Sequence, residues 1–309
     1  MKIPVVIDCD PGVDDALAIL LAFSSDKLDI KAITTVAGNQ TVEITTDNAL
    51  KIVGFIGADI KIAKGASKPI MKKLKVADEV HGSTGLGNAV LPSVNNKAYF
   101  KNAVETIYEI AADCDGKLHI IALGPLTNIA LLLTYHPDVC KNIEHITLMG
   151  GACYGGNVTP AAEFNIYTDP DAAEIVFKSG IPITMVGLDA THRSILCENE
   201  IRDIISEKSR VSEFIGQLMY SMLDFYRSIG ISGAVMHDAL TVASIIEPDI
   251  IKTGKHHVDI ETKGEFTTGK TVVDICNVKK MTANAEIGLD ADKEKFLTML
   301  KEMNKSYAI

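Results

Sequence analysis

Residues 3–15 read IPVVIDCDPGVDD, and this stretch joins a run of apolar residues to a loop that contains four aspartates. The run Ile3–Ile7 has the length and the β-branched content of a buried strand. The Pro11-Gly12 turn then redirects the chain, and the periodicity that follows predicts a helix over residues 14–24. A strand, a polar loop and a helix in this order predict the first unit of a parallel α/β fold.

The same alternation continues along the chain. Further strands are predicted at Asp29–Val36, Lys117–Ala122, Ile143–Met149 and Ile181–Val186. Further helices are predicted over residues 41–56, 100–113, 126–135, 170–179, 198–207, 210–228 and 238–246 and near 291–303. Val258–Glu261 and Thr271–Cys276 predict a late hairpin or extra edge strands. We therefore expect an α/β fold with a Rossmann-like, mostly parallel β-sheet flanked by helices, forming a single domain over residues 1–309 with extra helices and strands in the C-terminal part.

The composition argues against two classes of partner. Among the 309 residues, 40 are acidic and 30 are Lys or Arg, which gives a formal charge of −10. Because no basic patch offsets this charge, we expect no nucleic-acid or membrane partner. The N-terminus has no secretory leader and the six cysteines form no CxxC pair, so reduced thiols and a cytoplasmic location are expected.

Polar clusters follow the predicted strands where each strand ends. They read DCDPGVDD, AGN, LGPLTN, MGG and GLDAT. In an open parallel sheet, ligands bind in the crevice at the carboxyl ends of the strands. The clusters are therefore predicted to converge on one site, although they are far apart in sequence.

The acidic loop predicts a cation site. Asp8, Asp10, Asp14 and Asp15 lie within eight residues, and crowded carboxylates favour a hard divalent cation with oxygen ligands. The alternative is that Asp14 and Asp15 only favour the N-terminus of a helix. Asp8 suits either strand-end hydrogen bonding or support for the ligands.

Two further segments carry candidate chemistry. Asp238 suits a metal ligand and His237 a proton donor or relay, although the pair also fits an ordinary helix N-terminus. Asn157, Glu163 and Asn165 suit the hydroxyl groups of a polyol, or they are turn residues. The long irregular segment between Lys64 and Ala98 predicts a functional or mobile loop. The isolated His119, His136, His145 and His192 are expected to be surface or satisfied side chains.

Taken in order, DCDPGVDD, TVAGN, HGSTGLG, LGPLTN, MGG, EFN and HD resemble the inosine-uridine preferring nucleoside hydrolases, over nearly the whole chain. The resemblance implies hydrolysis of the N-glycosidic bond of ribonucleosides to free base and ribose. It also implies a Ca²⁺ ion held by Asp10, Asp15, Asp238 and the backbone carbonyl of Leu123. Asp14 would then deprotonate a calcium-bound water that attacks the ribose.

The resemblance also assigns the substrate contacts. Ribose would be held by Asn39, Asn157, Glu163 and Asn165, with the carbonyl of Met149 close to the sugar. His237 and His81 would lie beside the nucleobase and help it leave, with Tyr226 as a further candidate. The preference for purines or pyrimidines stays open, and a homodimer or homotetramer is implied.

Two other functions fit part of the pattern. A haloacid-dehalogenase-like phosphatase also has DxD after its first strand, but it usually has Thr or Val where this chain has Gly12. A non-catalytic nucleoside- or ribose-binding protein would use the same polyol-binding groups. Asp14 beside a metal site favours turnover over binding alone.

Overall fold

The computed structural model describes residues 2–94 and 97–308, and its centre is an eight-stranded sheet with the order β3-β2-β1-β4-β5-β6-β10-β7. All neighbouring strands of this sheet are parallel except β10 and β7, which are antiparallel. The strands are β1 Ile3–Cys9, β2 Leu28–Thr35, β3 Lys61–Lys64, β4 Leu118–Ala122, β5 Ile143–Met149, β6 Ile183–Val186, β7 Ile251–His256, β8 Val258–Ile260, β9 Thr271–Val273 and β10 Ala285–Ala291. The expected mostly parallel sheet is confirmed.

Helices cover both faces of the sheet, as the apolar strands require. They are α1 Val13–Ser24, α2 Val42–Phe55, α3 Asp78–His81, α4 Ala103–Asp113, α5 Thr127–Tyr135, α6 Phe164–Thr168, α7 Pro170–Phe177, α8 Leu188–Thr191, α9 Glu198–Ile204, α10 Arg210–Ser228, α11 His237–Ile246 and α12 Lys293–Ser306, with 3₁₀ turns at Pro137–Asn142 and Pro248–Ile250. One core lies under α1, α2 and α9–α12, and the other lies under α4, α5 and α7. β1 contributes to both cores, because Val5 and Ile7 face the first and Val6 faces the second.

The strand order places a crevice beside the first strand. β2 and β3 lie on one side of β1, whereas β4, β5 and β6 lie on the other. The connections therefore leave β1 and β4 in opposite directions, and ligands bind at such a switch point. The acidic loop follows β1 and Leu123 follows β4, so both reach this crevice.

The predicted elements are all present, with ends that differ by at most three residues. The two late candidates form the antiparallel hairpin β8–β9, separate from the main sheet. Strands β3, β7 and β10 were not predicted from the sequence. Lysines interrupt the apolar pattern of β3, lysines and Gly254 interrupt that of β7, and β10 contains Gly288 and Asp290. Helices α3, α6 and α8 were not predicted either, because they are four or five residues long and too short to show a helical period.

The described helices include none that combines the length and the apolar character needed to cross a membrane.

Candidate active site

The acidic loop places its carboxylates inside the protein. Asp10, Asp14 and Asp15 are at most 5 % exposed, at the end of β1 and in the first turn of α1. Asp15 folds back over the turn, because its Oδ1 accepts from the backbone N–H of Asp10 at 3.2 Å and its Oδ2 from that of Gly12 at 2.9 Å. This pairing satisfies free N–H groups at the helix start, as in a capping box. The loop is therefore rigid as well as acidic.

A fourth carboxylate comes from the distant helix α11. Asp238 is 3 % exposed, and carboxylate oxygens of Asp14, Asp15 and Asp238 lie within 4.8 Å of one another. Burial and the neighbouring carboxylates raise the pKa of Asp10 and Asp238 well above the usual range. Burial, followed by the charge of Asp14, raises the pKa of Asp15 to about 7. Such a cluster is stable in its charged form only beside a cation.

The donor atoms fit a hard divalent cation. Asp10 Oδ2 accepts from the backbone N–H of Asn39 at 2.6 Å, whereas Asp10 Oδ1 is buried without a hydrogen-bond partner among the described residues. A buried carboxylate oxygen without a partner is costly unless a cation is bound to it. A Cβ atom on Gly124 would lie 2.5 Å from Asp10 Oδ1, so glycine brings the chain after Leu123 close to this oxygen.

The predicted ribose contacts Asn39, Glu163 and Asn165 border the same acidic cluster. Asn39 Nδ2 donates to the carbonyl of Asp10 at 3.2 Å and to Asp15 Oδ2 at 3.1 Å. Asn165 Nδ2 donates to the carbonyl of Leu123 at 2.7 Å and to that of Met149 at 3.1 Å. Asn39 therefore holds the loop that follows β1, and Asn165 joins the ends of β4 and β5.

Glu163 begins helix α6 and is 2 % exposed. Its carboxylate accepts from the backbone N–H groups of Gly151 and Asn165, each at 2.9 Å, and of Ile166 at 3.2 Å. Burial raises the pKa of Glu163 to about 7 in spite of these bonds. Three donors thus fix the carboxylate at the edge of the crevice.

Asn157 differs from the other predicted ribose contacts, because it is exposed. Its Oδ1 accepts from the backbone N–H of Phe164 at 2.9 Å and so holds the start of α6. The structure does not bring its side chain into the buried cluster.

His237 and Tyr226 form a hydrogen-bonded pair next to the acidic cluster. His237 Nε2 lies 2.6 Å from Tyr226 Oη, and its Nδ1 lies 2.8 Å from Thr191 Oγ1. Burial lowers the pKa of His237 to about 4, against the opposing charge of Asp14. The ring is therefore neutral near pH 7.

His81 reaches the site from the irregular segment between Lys64 and Ala98. Its Nδ1 accepts from the backbone N–H of Val13 at 3.1 Å, so in the neutral ring the proton is on Nε2. Burial lowers the pKa of His81. Asn48 fixes this segment, because its Nδ2 donates to the carbonyl of Pro11 at 3.0 Å and to that of Thr84 at 2.8 Å.

Thr34, Asn128 and Thr191 bond to candidate site residues but were not predicted from the sequence. Thr34 and Asn128 bond to Asp8, which lies outside the cluster of Asp14, Asp15 and Asp238. Asp8 Oδ1 accepts from Thr34 Oγ1 at 2.5 Å and from Asn128 Nδ2 at 2.7 Å. Burial raises its pKa to about 7. Asn128 and Thr191 belong to LGPLTN and GLDAT, so the motifs were visible but the roles of these two residues depend on the fold.

The other histidines have the partners expected of satisfied side chains. His119 Nε2 lies 2.8 Å from Thr147 Oγ1, and His145 Nε2 lies 2.9 Å from Thr184 Oγ1. His136 Nε2 lies 3.1 Å from a carboxylate oxygen of Glu105. His192 is exposed, with its ring centroid 5.7 Å from that of His237.

Sequence comparison identifies full-length relatives. The family model described as inosine-uridine preferring nucleoside hydrolase matches residues 5–298. The pyrimidine-specific ribonucleoside hydrolase RihA of Shewanella woodyi is 43 % identical over 311 residues, covering 100 % of both chains. The protein of the same name from Photobacterium profundum is 44 % identical over 310 residues, covering 99 % of this chain and 100 % of that protein.

Solved structures share the fold over the same length. The purine-preferring ribonucleoside hydrolase from Gardnerella vaginalis has a TM-score of 0.93 at 30 % identity, with 99 % of each chain covered. A plant nucleoside hydrolase, PpNRh1, has a TM-score of 0.93 at 30 % identity, with 100 % of each chain covered. The chain therefore belongs to the inosine-uridine preferring nucleoside hydrolase family, and it is a hydrolase that cleaves the N-glycosidic bond of ribonucleosides to give free base and ribose.

Proposed function

We propose that this hydrolase depends on Ca²⁺ and prefers pyrimidine ribonucleosides. The observation that carries the metal dependence is the buried set of four carboxylates, one of which has an oxygen without a hydrogen-bond partner among the described residues. Relatives at 43 % and 44 % identity that are named pyrimidine-specific support the base preference over the purine-preferring structure at 30 %.

The cation would be held by Asp10, Asp15, Asp238 and the backbone carbonyl of Leu123. An all-oxygen set that includes a backbone carbonyl is typical of calcium. When bound, the cation supplies positive charge that lowers the pKa of a nearby water.

Asp14 would act as the general base. The described residues provide no hydrogen-bond donor to its side chain, although carboxylate oxygens of Asp14, Asp15 and Asp238 lie within 4.8 Å of one another. Its carboxylate is therefore available to accept a proton from water as the water attacks the anomeric carbon. Loss of the base then leaves positive charge on the sugar, as in other glycoside cleavages.

Asn39, Asn165, Glu163 and the carbonyl of Met149 would bind the ribose. Their oxygens surround the crevice with negative potential, which stabilises an oxocarbenium-like transition state more than the neutral substrate. Contact of Asn157 with ribose stays a prediction that requires the loop before α6 to move inward. Asp8 would support the loop through Thr34 and Asn128.

His237, Tyr226 and His81 would face the nucleobase. Because Val13 fixes His81 Nδ1 as an acceptor, His81 Nε2–H is available to donate to a base carbonyl. Tyr226 would help the base leave by proton donation, and the neutral ring of His237 would orient the Tyr226 hydroxyl through the hydrogen bond between them.

Ribose release from uridine, cytidine, inosine, adenosine and guanosine tests this proposal. We expect the two pyrimidine nucleosides to be cleaved with the higher kcat/KM, and calcium chelation to abolish cleavage. Equal or better cleavage of the purine nucleosides would contradict the base preference, and full activity after chelation would contradict the metal dependence. The predicted homodimer or homotetramer is testable by light scattering on the same protein.

A further inference from the structure

Thr191 contacts the ring of His237 but lies outside the crevice residues predicted from the sequence. It is the last residue of α8, the short helix in the GLDAT segment that follows β6. Its side chain is 0 % exposed, and its Oγ1 lies 2.8 Å from His237 Nδ1. The ring is therefore held between two hydroxyl groups, because Tyr226 Oη lies 2.6 Å from Nε2.

The direction of the Thr191 bond follows from counting protons. Among the described residues, His237 Nδ1 is the only hydrogen-bond partner of the Thr191 hydroxyl. If Nδ1–H donated to Thr191, the buried hydroxyl hydrogen would have no acceptor, which costs about 1–3 kcal/mol. Protonation of the whole ring would leave the same hydrogen without an acceptor. With Thr191 O–H donating to an unprotonated Nδ1, the one hydrogen of the three groups left without a partner among the described residues is that of the Tyr226 hydroxyl. That hydrogen is the less costly one to leave unpaired, because Tyr226 is 6 % exposed whereas Thr191 is 0 % exposed. We therefore assign Thr191 O–H as the donor to Nδ1.

An unprotonated Nδ1 determines the protonation of the other ring nitrogen, Nε2. A neutral imidazole carries one N–H, so the proton is on Nε2 and donates to Tyr226 Oη. The hydroxyl hydrogen of Tyr226 then has no acceptor on His237 and can point into the crevice. In the opposite tautomer, the Tyr226 hydrogen would be bound to Nε2 and could not point at a substrate.

We propose that Thr191 is a positioning residue that fixes His237 as the Nε2–H tautomer, so that Tyr226 presents its hydroxyl hydrogen to the leaving nucleobase. When the glycosidic C–N bond breaks, this proton passes to the nucleobase, the phenolate left on Tyr226 accepts the Nε2–H hydrogen bond, and water restores the proton after the base departs. This inference rests on the proposed function for the direction of the final bond. The tautomer itself is a property of the resting protein and can be measured without turnover.

Three variants separate this role from packing. Thr191→Val keeps the shape but removes the donor, and Thr191→Ser keeps the donor. Thr241→Val is the matched control, because Thr241 is also 0 % exposed but its hydroxyl donates to the backbone carbonyl of His237 at 3.2 Å, not to the ring.

Two riboside substrates report on the leaving group. Uridine needs a proton on its base as the bond breaks, whereas 4-nitrophenyl β-D-ribofuranoside releases a phenolate that leaves without one. We expect Thr191→Val to lower kcat/KM for uridine about 100-fold, the scale of lost general-acid help, with a change of less than about threefold for the nitrophenyl riboside. Thr191→Ser and Thr241→Val should retain uridine cleavage. Equal losses on both substrates, or retained uridine cleavage in Thr191→Val, would overturn the proposal.

The ¹⁵N NMR signals of the histidine rings give an independent readout. His237 is assigned by comparison with the His237→Gln protein, and we expect its proton on Nε2 in the wild type. A proton on Nδ1 would rule out the assigned direction of the Thr191 bond whether or not any nucleoside is cleaved. If the wild type shows the Nε2–H tautomer but cleaves no riboside, the proposed function fails and the tautomer assignment survives.

Discussion

The amide nitrogen of Asn165 lies 2.7 Å from the carbonyl oxygen of Leu123, so a predicted ribose contact is bonded directly to a predicted metal ligand. The same nitrogen donates to the carbonyl of Met149 at 3.1 Å. One side chain thus joins the ends of β4 and β5 and links metal binding to sugar binding.

Removal of this amide should impair both kinds of binding. We expect Asn165→Ala to weaken Ca²⁺ binding and to lower kcat/KM about 10- to 100-fold, the range for lost groups that orient metal ligands. Calorimetric titration with Ca²⁺ and a uridine assay on the same preparation measure the two effects. Unchanged calcium affinity would contradict the assignment of the Leu123 carbonyl as a metal ligand.

The close approach of Gly124 to Asp10 gives a second prediction. Because a Cβ atom at position 124 would lie 2.5 Å from Asp10 Oδ1, Gly124→Ala must displace the carboxylate or the chain after Leu123. We expect this variant to lose most of the rise in Tm that Ca²⁺ gives the wild type. Gly216→Ala is the control. Gly216 lies on α10, where an added Cβ atom would contact the side chain of Ile205, so this variant should keep the full rise in Tm with Ca²⁺.

The absence of hydrogen-bond donors to Asp14 among the described residues predicts a catalytic effect with little effect on folding. Asp14→Ala should fold and unfold with a Tm close to that of the wild type, while kcat falls about 100- to 10,000-fold. Circular dichroism melting and ribose release measure the two properties. Near-normal turnover by the folded variant would show that Asp14 is not the general base.

Asp10, Asp14 and Asp15 were predictable because they share one short loop. Asp238 was a weak candidate in the sequence, since an Asp at a helix start is ordinary. Its role depends on α11 packing against α1, which no local pattern records. Thr191 could not be assigned because its partner is 46 positions away. The missed strand β10 had the same origin: its place between β6 and β7 is set by tertiary pairing, not by its own weak pattern.

His119 gives a pH prediction outside the active site. Burial, followed by the nearby His145, lowers the pKa of His119 to about 3, whereas the unfolded value is 6.5. A lowered histidine pKa gives stability that is present above pH 6.5 and is lost as the pH falls toward 3. When the pH falls from 7 to 5, we expect the free energy of unfolding of the wild type to fall by about 1–2 kcal/mol more than that of His119→Gln. Urea unfolding at both values measures this, and parallel losses in the two proteins would contradict the predicted titration.

Cleavage of a pyrimidine ribonucleoside is proposed to require a cation at the four buried carboxylates. The most direct test is ribose release from uridine by one preparation, measured as purified, after calcium chelation, and after Ca²⁺ is restored in excess. We predict a loss of at least ~100-fold on chelation and full recovery with Ca²⁺. Undiminished ribose release by the protein shown by elemental analysis to be free of metal would contradict the account.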